Sequence, residues 1–433
     1  MSFSKNVITT FFTKLILLFL GIFASVIVAR QLGPQGKGLY SFILLLPQLL
    51  LVAGNAGLRI SNIYFLGRKK FHLQDVYSNS VITGAVLSIL SMLVFTGVYI
   101  VFGEKYFKNI EAWHLAFILA AVPVLFFDQY SNGMLLGLQK IRQFNLLELA
   151  GEITKIALIV LTLWVFSMGL KGALISWYAA IFSVLLIYLW FFKKEKVKLG
   201  KINFKKEIFL ESLKYGGKGY LGNIVVFLNY RLDVFLLAYF CDLKAIGFYS
   251  VSVALAEAVL NIPNSASLVL FPKISSAGRE KKRGEFTSQV CRNILVLTGL
   301  LVLAAAVFGK KIILLFYSKA YSDSFLPFLI LLPGVYSLSV SKILSSDLTG
   351  RGKVEINMYI SAITLVANLI LYFILIPAWG INGAALASTM VYILSAVLFA
   401  VFFIKNTDMK LKDLLVPVKS DLKAYRRLLG RKG

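Results

Sequence analysis

Long apolar runs separated by short polar stretches organise this chain of 433 residues. Twelve such runs fall at roughly 8–29, 40–66, 80–103, 114–137, 146–168, 171–192, 215–239, 246–271, 289–309, 323–347, 356–377 and 382–404. Each exceeds the 18 or so residues that a helix needs to cross about 30 Å of hydrocarbon. The pattern predicts an all-α integral membrane protein with about twelve transmembrane helices. The first run follows a short polar start carrying Lys5, which resembles a signal peptide. It is too long for a signal h-region and leads into Arg30-Gln-Leu-Gly-Pro34 rather than a small-residue cleavage site, so it reads as a helix.

The second half echoes the first. Gly38-Leu-Tyr-Ser41 returns as Gly247-Phe-Tyr-Ser250, an offset of 209. Gly137-Leu-Gln-Lys140 returns as Gly350-Arg-Gly-Lys353, and Met168-Gly-Leu-Lys-Gly-Ala173 as Trp379-Gly-Ile-Asn-Gly-Ala384, at offsets of 213 and 211. Tandem membrane repeats of this kind typify transporters, in which two similar bundles rock about a shared site. The expected organisation is a six-helix bundle over 1–192, a basic linker over 193–214, a second six-helix bundle over 215–405, and a basic tail over 406–433.

Composition agrees, with 58% hydrophobic and 15% charged residues, against about a quarter charged in soluble domains. The net charge of +26 is distributed by side. If the N-terminus is cytoplasmic and the loops alternate, the cytoplasmic segments hold 31 lysines and arginines, most of them in 193–214, 273–292 and the tail. The opposite side holds nine: Arg30, Lys37, Lys105, Lys108, Lys171, Lys244, Lys310, Lys311 and Lys319. That asymmetry places both termini in the cytoplasm of a cell (inner) membrane protein. It also makes anionic lipid headgroups, not nucleic acid, the partner of the basic loops. The linker alternates lysine with apolar residues, as a segment lying on the membrane surface does. Cys241 and Cys291 fall at opposite faces, as do His72 and His114, so neither a disulfide nor a metal site is expected.

Ionisable groups within apolar runs are costly and face a bundle interior or a hydrated cavity. The second run carries Asn55, Arg59 and Asn62 at i, i+4, i+7; the eighth carries Glu257, Asn261 and Asn264 at the same spacing. Two such stripes on repeat-related helices read as two walls of one cavity, or as helix-to-helix polar packing. The seventh run holds Arg231 and Asp233, which serve either binding or a structural ion pair. Asp128 and Asn132 share a face of the fourth run, with Lys342 near register in the tenth, so that a cross-pair at the midplane is open. Glu148, Glu152 and Lys155 read as a salt-bridged helix start. Pro47, Pro123, Pro263, Pro327, Pro333 and Gly216-Gly217 are candidate bends. No Gly-x-x-x-x-Gly-Lys-Ser/Thr loop, metal cluster or catalytic triad pattern occurs, so transport runs on an ion gradient (H+ or Na+, with no bound cofactor) or downhill.

The ordered set Val28-Ala-Arg-Gln-Leu-Gly-Pro-Gln-Gly-Lys-Gly-Leu-Tyr40, Tyr230-Arg-Leu-Asp233, Gly247-Phe-Tyr-Ser250, Glu257 and Phe271-Pro-Lys-Ile274 resembles the polysaccharide-exporter branch of the multidrug/oligosaccharidyl-lipid/polysaccharide exporter superfamily. The resemblance implies a V-shaped, two-lobed transporter with a central cationic cavity. It implies flipping of undecaprenyl-diphosphate-linked oligosaccharide to the outer leaflet for O-antigen or capsule-type glycans, alongside other glycan assembly proteins. Fourteen-helix peptidoglycan lipid flippases are longer, and the extra helix pair is missing here. Under this resemblance Arg59, Arg231 and Lys342 meet the diphosphate, because guanidinium suits bidentate anion binding. Asn55, Asn62, Asn261 and Asn264 meet sugar hydroxyls, and Asp128, Asp233 or Glu257 carries the coupling ion. The alternatives are a multidrug exporter, which expects an acidic cavity, and a membrane glycan polymerase or ligase, which expects a large outer loop.

Overall fold

The computed structural model describes residues 3–107, 109–276 and 280–418. The distal part of the expected tail and Arg279 lie outside the described residues. Thirteen α-helices follow one another: α1 (Phe3–Gly54), α2 (Leu58–Gly67), α3 (Leu73–Tyr106), α4 (Ala112–Gly137), α5 (Ile141–Ile159), α6 (Gly169–Lys194), α7 (Lys206–Phe240), α8 (Leu243–Ala258), α9 (Asn261–Ser276), α10 (Glu280–Ile312), α11 (Phe325–Gly350), α12 (Val354–Lys405) and α13 (Leu411–Leu415). No strand occurs among the described residues. Among the described residues eight helices are long and apolar enough to cross a membrane, and the α8–α9 pair, bent by 43°, passes the same test only when its two helices are taken together. The protein is a multi-pass, all-α membrane protein, as its apolar runs predict.

Helix count and run count differ because two helices carry two runs each. α1 continues past Gly33 (φ 65°, ψ 179°) and α12 past Gly380 (φ 53°, ψ −130°). Both kinks fall on a glycine in a left-handed or related conformation, which a side chain resists. The seventh-run helix starts earlier than expected, at Lys206. The segment between α6 and α7 is consequently short and is tied to α3. Gln74 donates to the carbonyls of Lys198 and Lys201 at 3.2 and 2.9 Å and accepts from the Lys198 N–H at 2.7 Å. Lys205 pairs with Asp75 at 2.7 Å.

By packing, the chain forms two compact units, Met1–Gly247 and Phe248–Gly433. α7 belongs to the first because it zips along α2. Gly57 and Gly216 pack backbone to backbone, the Ser61 hydroxyl donates to the Ser212 carbonyl at 2.7 Å, and Tyr64 stacks on Tyr215 at 4.0 Å. Within the same unit the repeat-related glycines touch. A methyl on Gly38 would strike the Leu243 carbonyl, and one on Gly247 the Pro34 carbonyl. Only glycine permits so close a helix crossing.

The echoes in sequence are echoes in geometry. Gln139 (φ 57°) and Gly352 (φ 78°) both take a positive φ, as do Gly169 (φ 56°) and Gly380 (φ 53°). After the first pair of turns, Lys140 Nζ meets Glu195 just beyond α6 at 3.0 Å, and Lys353 Nζ meets Asn406 just beyond α12 at 2.8 Å. Each half thus ties its fourth-to-fifth-run turn to the end of its last helix.

In the second unit an ion pair is buried completely. Asp347 is 0% exposed and accepts from Arg351 Nε and from the Thr287 hydroxyl, both at 2.6 Å. It joins α11 to α10 and the α11–α12 turn. Removing one member of such a pair leaves the other charge stranded, at a cost of about 3–5 kcal/mol. Asp347→Ala should lower the unfolding midpoint of the purified protein accordingly, and Asp347→Ala/Arg351→Met should recover most of the loss. Equal stability of the single variant and the parent in a thermal unfolding assay would remove the argument.

Candidate functional site

The second apolar run does not stay helical through its polar stripe. It breaks at Asn55–Gly57, with Ala56 at φ 51° and Gly57 at φ 74°. Asn55 causes the break: its Oδ1 accepts the Gly57 N–H at 2.9 Å and its Nδ2 donates to the Leu51 carbonyl at 2.9 Å. Buried Tyr130 then donates its hydroxyl to the Asn55 carbonyl at 3.1 Å, which also accepts the Leu58 N–H at 3.2 Å. Asn62 is buried and donates to the Ser80 hydroxyl at 2.9 Å and the Tyr130 carbonyl at 3.3 Å. The single i, i+4, i+7 face expected for Asn55, Arg59 and Asn62 is therefore corrected: Asn55 sits at the break, and Asn62 spends its amide on neighbouring helices.

Arg59 stands on the first turn of α2, and a pair of glycines brings it to the site. Gly133 and Gly137 on α4 form a G-x-x-x-G step against α2. A methyl on Gly133 would meet the Arg59 backbone, and one on Gly137 the Asn62 carbonyl. That close approach delivers the half-buried guanidinium to Asn132, with Nη2 donating to Oδ1 at 3.4 Å. It is the guanidinium's one hydrogen bond among the described residues, so most of its five N–H donors are unspent.

Asn132 lines an open cavity of about 300 Å³ between α1, α4, α5 and α6. Its polar lining is Asp128 and Asn132 from α4, Glu148, Glu152 and Lys155 from α5, and Tyr188 from α6; Trp177 adds an aromatic side chain. Glu152 and Lys155 pair at 2.7 Å, as their i, i+3 spacing predicts. Glu148 instead pairs across helices with Lys14 of α1 at 2.7 Å. These residues mark a cavity wall as well as a helix start. Lys37, counted with the outer loops from sequence, is 7% exposed within α1 and lies over the Tyr40 ring at 5.4 Å.

The other sequence candidates lie elsewhere. Arg231 and buried Asp233 are on α7; Arg231 Nη1 donates to the Tyr230 carbonyl at 3.3 Å, and Asp233 Oδ1 accepts the Val234 N–H at 2.7 Å. In the second unit the eighth run also breaks, by 43°, between Ala258 and Asn261. Pro263, lacking an N–H for the Val259 carbonyl, explains the break. Glu257 ends α8 while Asn261 and Asn264 begin α9, so this stripe is likewise not one helical face. Asn261 donates to the Ala258 carbonyl at 2.9 Å, and Asn264 is exposed. Lys342 is half-buried on α11, and its carbonyl accepts from Ser267 at 3.0 Å. No group of three metal-ligating side chains occurs among the described residues. Sequence reading passed over Trp177 and Tyr188; the glycine step at 133 and 137 was the one signal that could have led to their side of the bundle.

A polyhelical membrane bundle with a charged cavity inside one unit defines a protein with a transporter fold. The profile of the polysaccharide biosynthesis protein family matches residues 3–278, and the chain belongs to that family. It is 24% identical over 401 residues to the capsular polysaccharide biosynthesis protein CapF of Staphylococcus aureus, covering 88% of this chain and 94% of CapF. It is 23% identical over 421 residues to a Shigella flexneri protein named as an O-antigen transporter, covering 92% and 97%. Among solved structures, the lipid II flippase MurJ in an inward closed conformation shares the fold at a TM-score of 0.70 and 18% identity, covering 98% of this chain and 91% of MurJ. The family resemblance read from the sequence is borne out.

The glycine step and the guanidinium should separate in experiment. Gly133→Ile, which forces α2 away from α4, should cost about 1–3 kcal/mol of stability. Arg59→Ala, which removes one long hydrogen bond, should stay within about 1 kcal/mol of the parent. Thermal unfolding of both purified variants checks the pair; a larger loss for Arg59→Ala would make it a structural residue.

Proposed function

We propose that the protein flips undecaprenyl-diphosphate-linked oligosaccharide from the cytoplasmic to the outer leaflet by alternating access, for assembly of O-antigen- or capsule-type polysaccharide. The carrying observation is Arg59, a half-buried guanidinium in an apolar run with most of its donors unspent beside a polar cavity. For a half-buried guanidinium with unspent donors, an anionic group bound bidentately is the natural partner. Membership of the polysaccharide biosynthesis family supports the glycan side of the reading. Arg231 and Lys342 are the further cationic contacts for the diphosphate. Asn261 and Asn264 are the candidates for sugar hydroxyls, while Asn55 and Asn62 spend their side chains on the framework of the first unit. Asp128, Asp233 and Glu257 are the carboxylates available to couple a proton or sodium ion. The charge asymmetry of the loops supports both termini in the cytoplasm and residence in the cell membrane, with the basic segments on anionic headgroups. Other glycan assembly proteins are the expected neighbours.

In cells that depend on this protein for surface glycan, Arg59→Ala and Arg231→Ala should abolish export while membrane insertion stays normal. Normal surface glycan in both variants would remove the cationic site. Alkaline phosphatase fused at Lys201 should be inactive, and fused at Asn109 active, in a bacterial reporter strain. The opposite pattern would invert the topology.

A further inference from the structure

The cavity of the first unit has an internal imbalance. Two of its three carboxylates are locked, Glu148 to Lys14 and Glu152 to Lys155, each at 2.7 Å. That leaves the Asp128 carboxylate, the Asn132 Nδ2, the Tyr188 hydroxyl and the Trp177 indole N–H without a hydrogen bond among the described residues, all on the cavity lining. Tyr188 is only 2% exposed. Its hydroxyl makes no hydrogen bond among the described residues, so its donor and its acceptor are both open to a polar guest in the cavity.

The chemistry of the unspent groups narrows the guest. A hard cation requires about six oxygens, and here Lys14, Lys155 and Arg59 already surround the available carboxylates. An inorganic anion would meet Asp128 and two glutamates. An apolar guest would leave Asp128, Asn132 and Tyr188 unsatisfied. A sugar ring matches: its hydroxyls donate to the carboxylate, accept from the amide and do either with the phenol, and its C–H face packs on an aromatic side chain. About 300 Å³ is at the low end of small-ligand sites, with room for one ring and not for a chain of them.

Placement gives the second argument. Arg59 touches Asn132, so the cation stands at the cavity wall. In a lipid diphosphate the first sugar is bonded directly to the phosphate. A site for such a molecule must therefore set a sugar pocket against an anion contact, and this one does. We propose that the cavity lined by Trp177, Asp128, Asn132 and Tyr188 is the subsite for the sugar attached to the diphosphate, adjoining Arg59. The inference rests on the flippase reading. It assigns Asp128 to the substrate and leaves Asp233 and Glu257 as the coupling carboxylates.

The test is binding of purified full-length protein in lipid nanodiscs to undecaprenyl diphosphate, bare or carrying one glucose, galactose or N-acetylglucosamine. The parent should bind at least one of the three sugar-bearing lipids about tenfold more tightly than the bare lipid. Trp177→Leu and the conservative Tyr188→Phe should erase that preference and leave bare-lipid affinity unchanged, and Arg59→Ala should weaken both. Unfolding midpoints near the parent's confirm that the variants are folded; Tyr188→Phe, which keeps the packing of the ring, serves if Trp177→Leu does not fold. No preference for any sugar in the parent, or a preference that survives both substitutions, overturns the subsite alone. Failure of the parent to bind even bare undecaprenyl diphosphate overturns the flippase reading and the subsite with it.

Discussion

Inside about 30 Å of hydrocarbon a polar group has no water to fall back on. Each backbone N–H and carbonyl must bond within the protein, and each charge must pair or face a hydrated space. This one constraint explains why the chain is helical throughout its apolar runs. It also explains what happens where a helix stops. At Asn55–Gly57 the ladder is interrupted, and carbonyls beside the break accept from the hydroxyls of Tyr220, on Ala53, and Tyr130, on Asn55. The break is a built feature, because three side chains are committed to covering it.

The same constraint separates the two compact units. Both place positive-φ residues at matching points, Gln139 with Gly352 and Gly169 with Gly380. Both tie a turn lysine to the end of the last helix. Their interior charges are treated differently. In the second unit Asp347 accepts from both Arg351 and Thr287. In the first unit the interior charges border a cavity, and four polar groups on its lining remain unspent.

Glycine spacing links the framework to the chemistry. Gly38 and Gly247 let two backbones cross, and Gly57 and Gly216 seat α7 on the broken helix. Gly133 and Gly137 bring α2 so near α4 that Arg59 reaches Asn132. Without that approach the guanidinium and the cavity would belong to separate parts of the bundle. The cationic site and the sugar pocket are therefore consequences of helix packing distance, set by residues that carry no chemistry of their own.

Membrane class, helical architecture and duplication were legible in the sequence because hydropathy, run length and repeat spacing are local or periodic. The interior placement of Arg59 and Asp128 was legible too, since an ionisable residue in an apolar run turns to the bundle interior or a cavity. The shared faces assumed for Asn55, Arg59 and Asn62 and for Glu257, Asn261 and Asn264 were not real, because i, i+4, i+7 spacing holds only while the helix is unbroken. Asn55 and Pro263 end that continuity. Trp177 and Tyr188 were invisible, since an aromatic residue in an apolar run reads the same whether it meets lipid or lines a cavity. Only the tertiary structure decided that, by which helices stand close enough to enclose a space and which polar groups they leave inside it without partners.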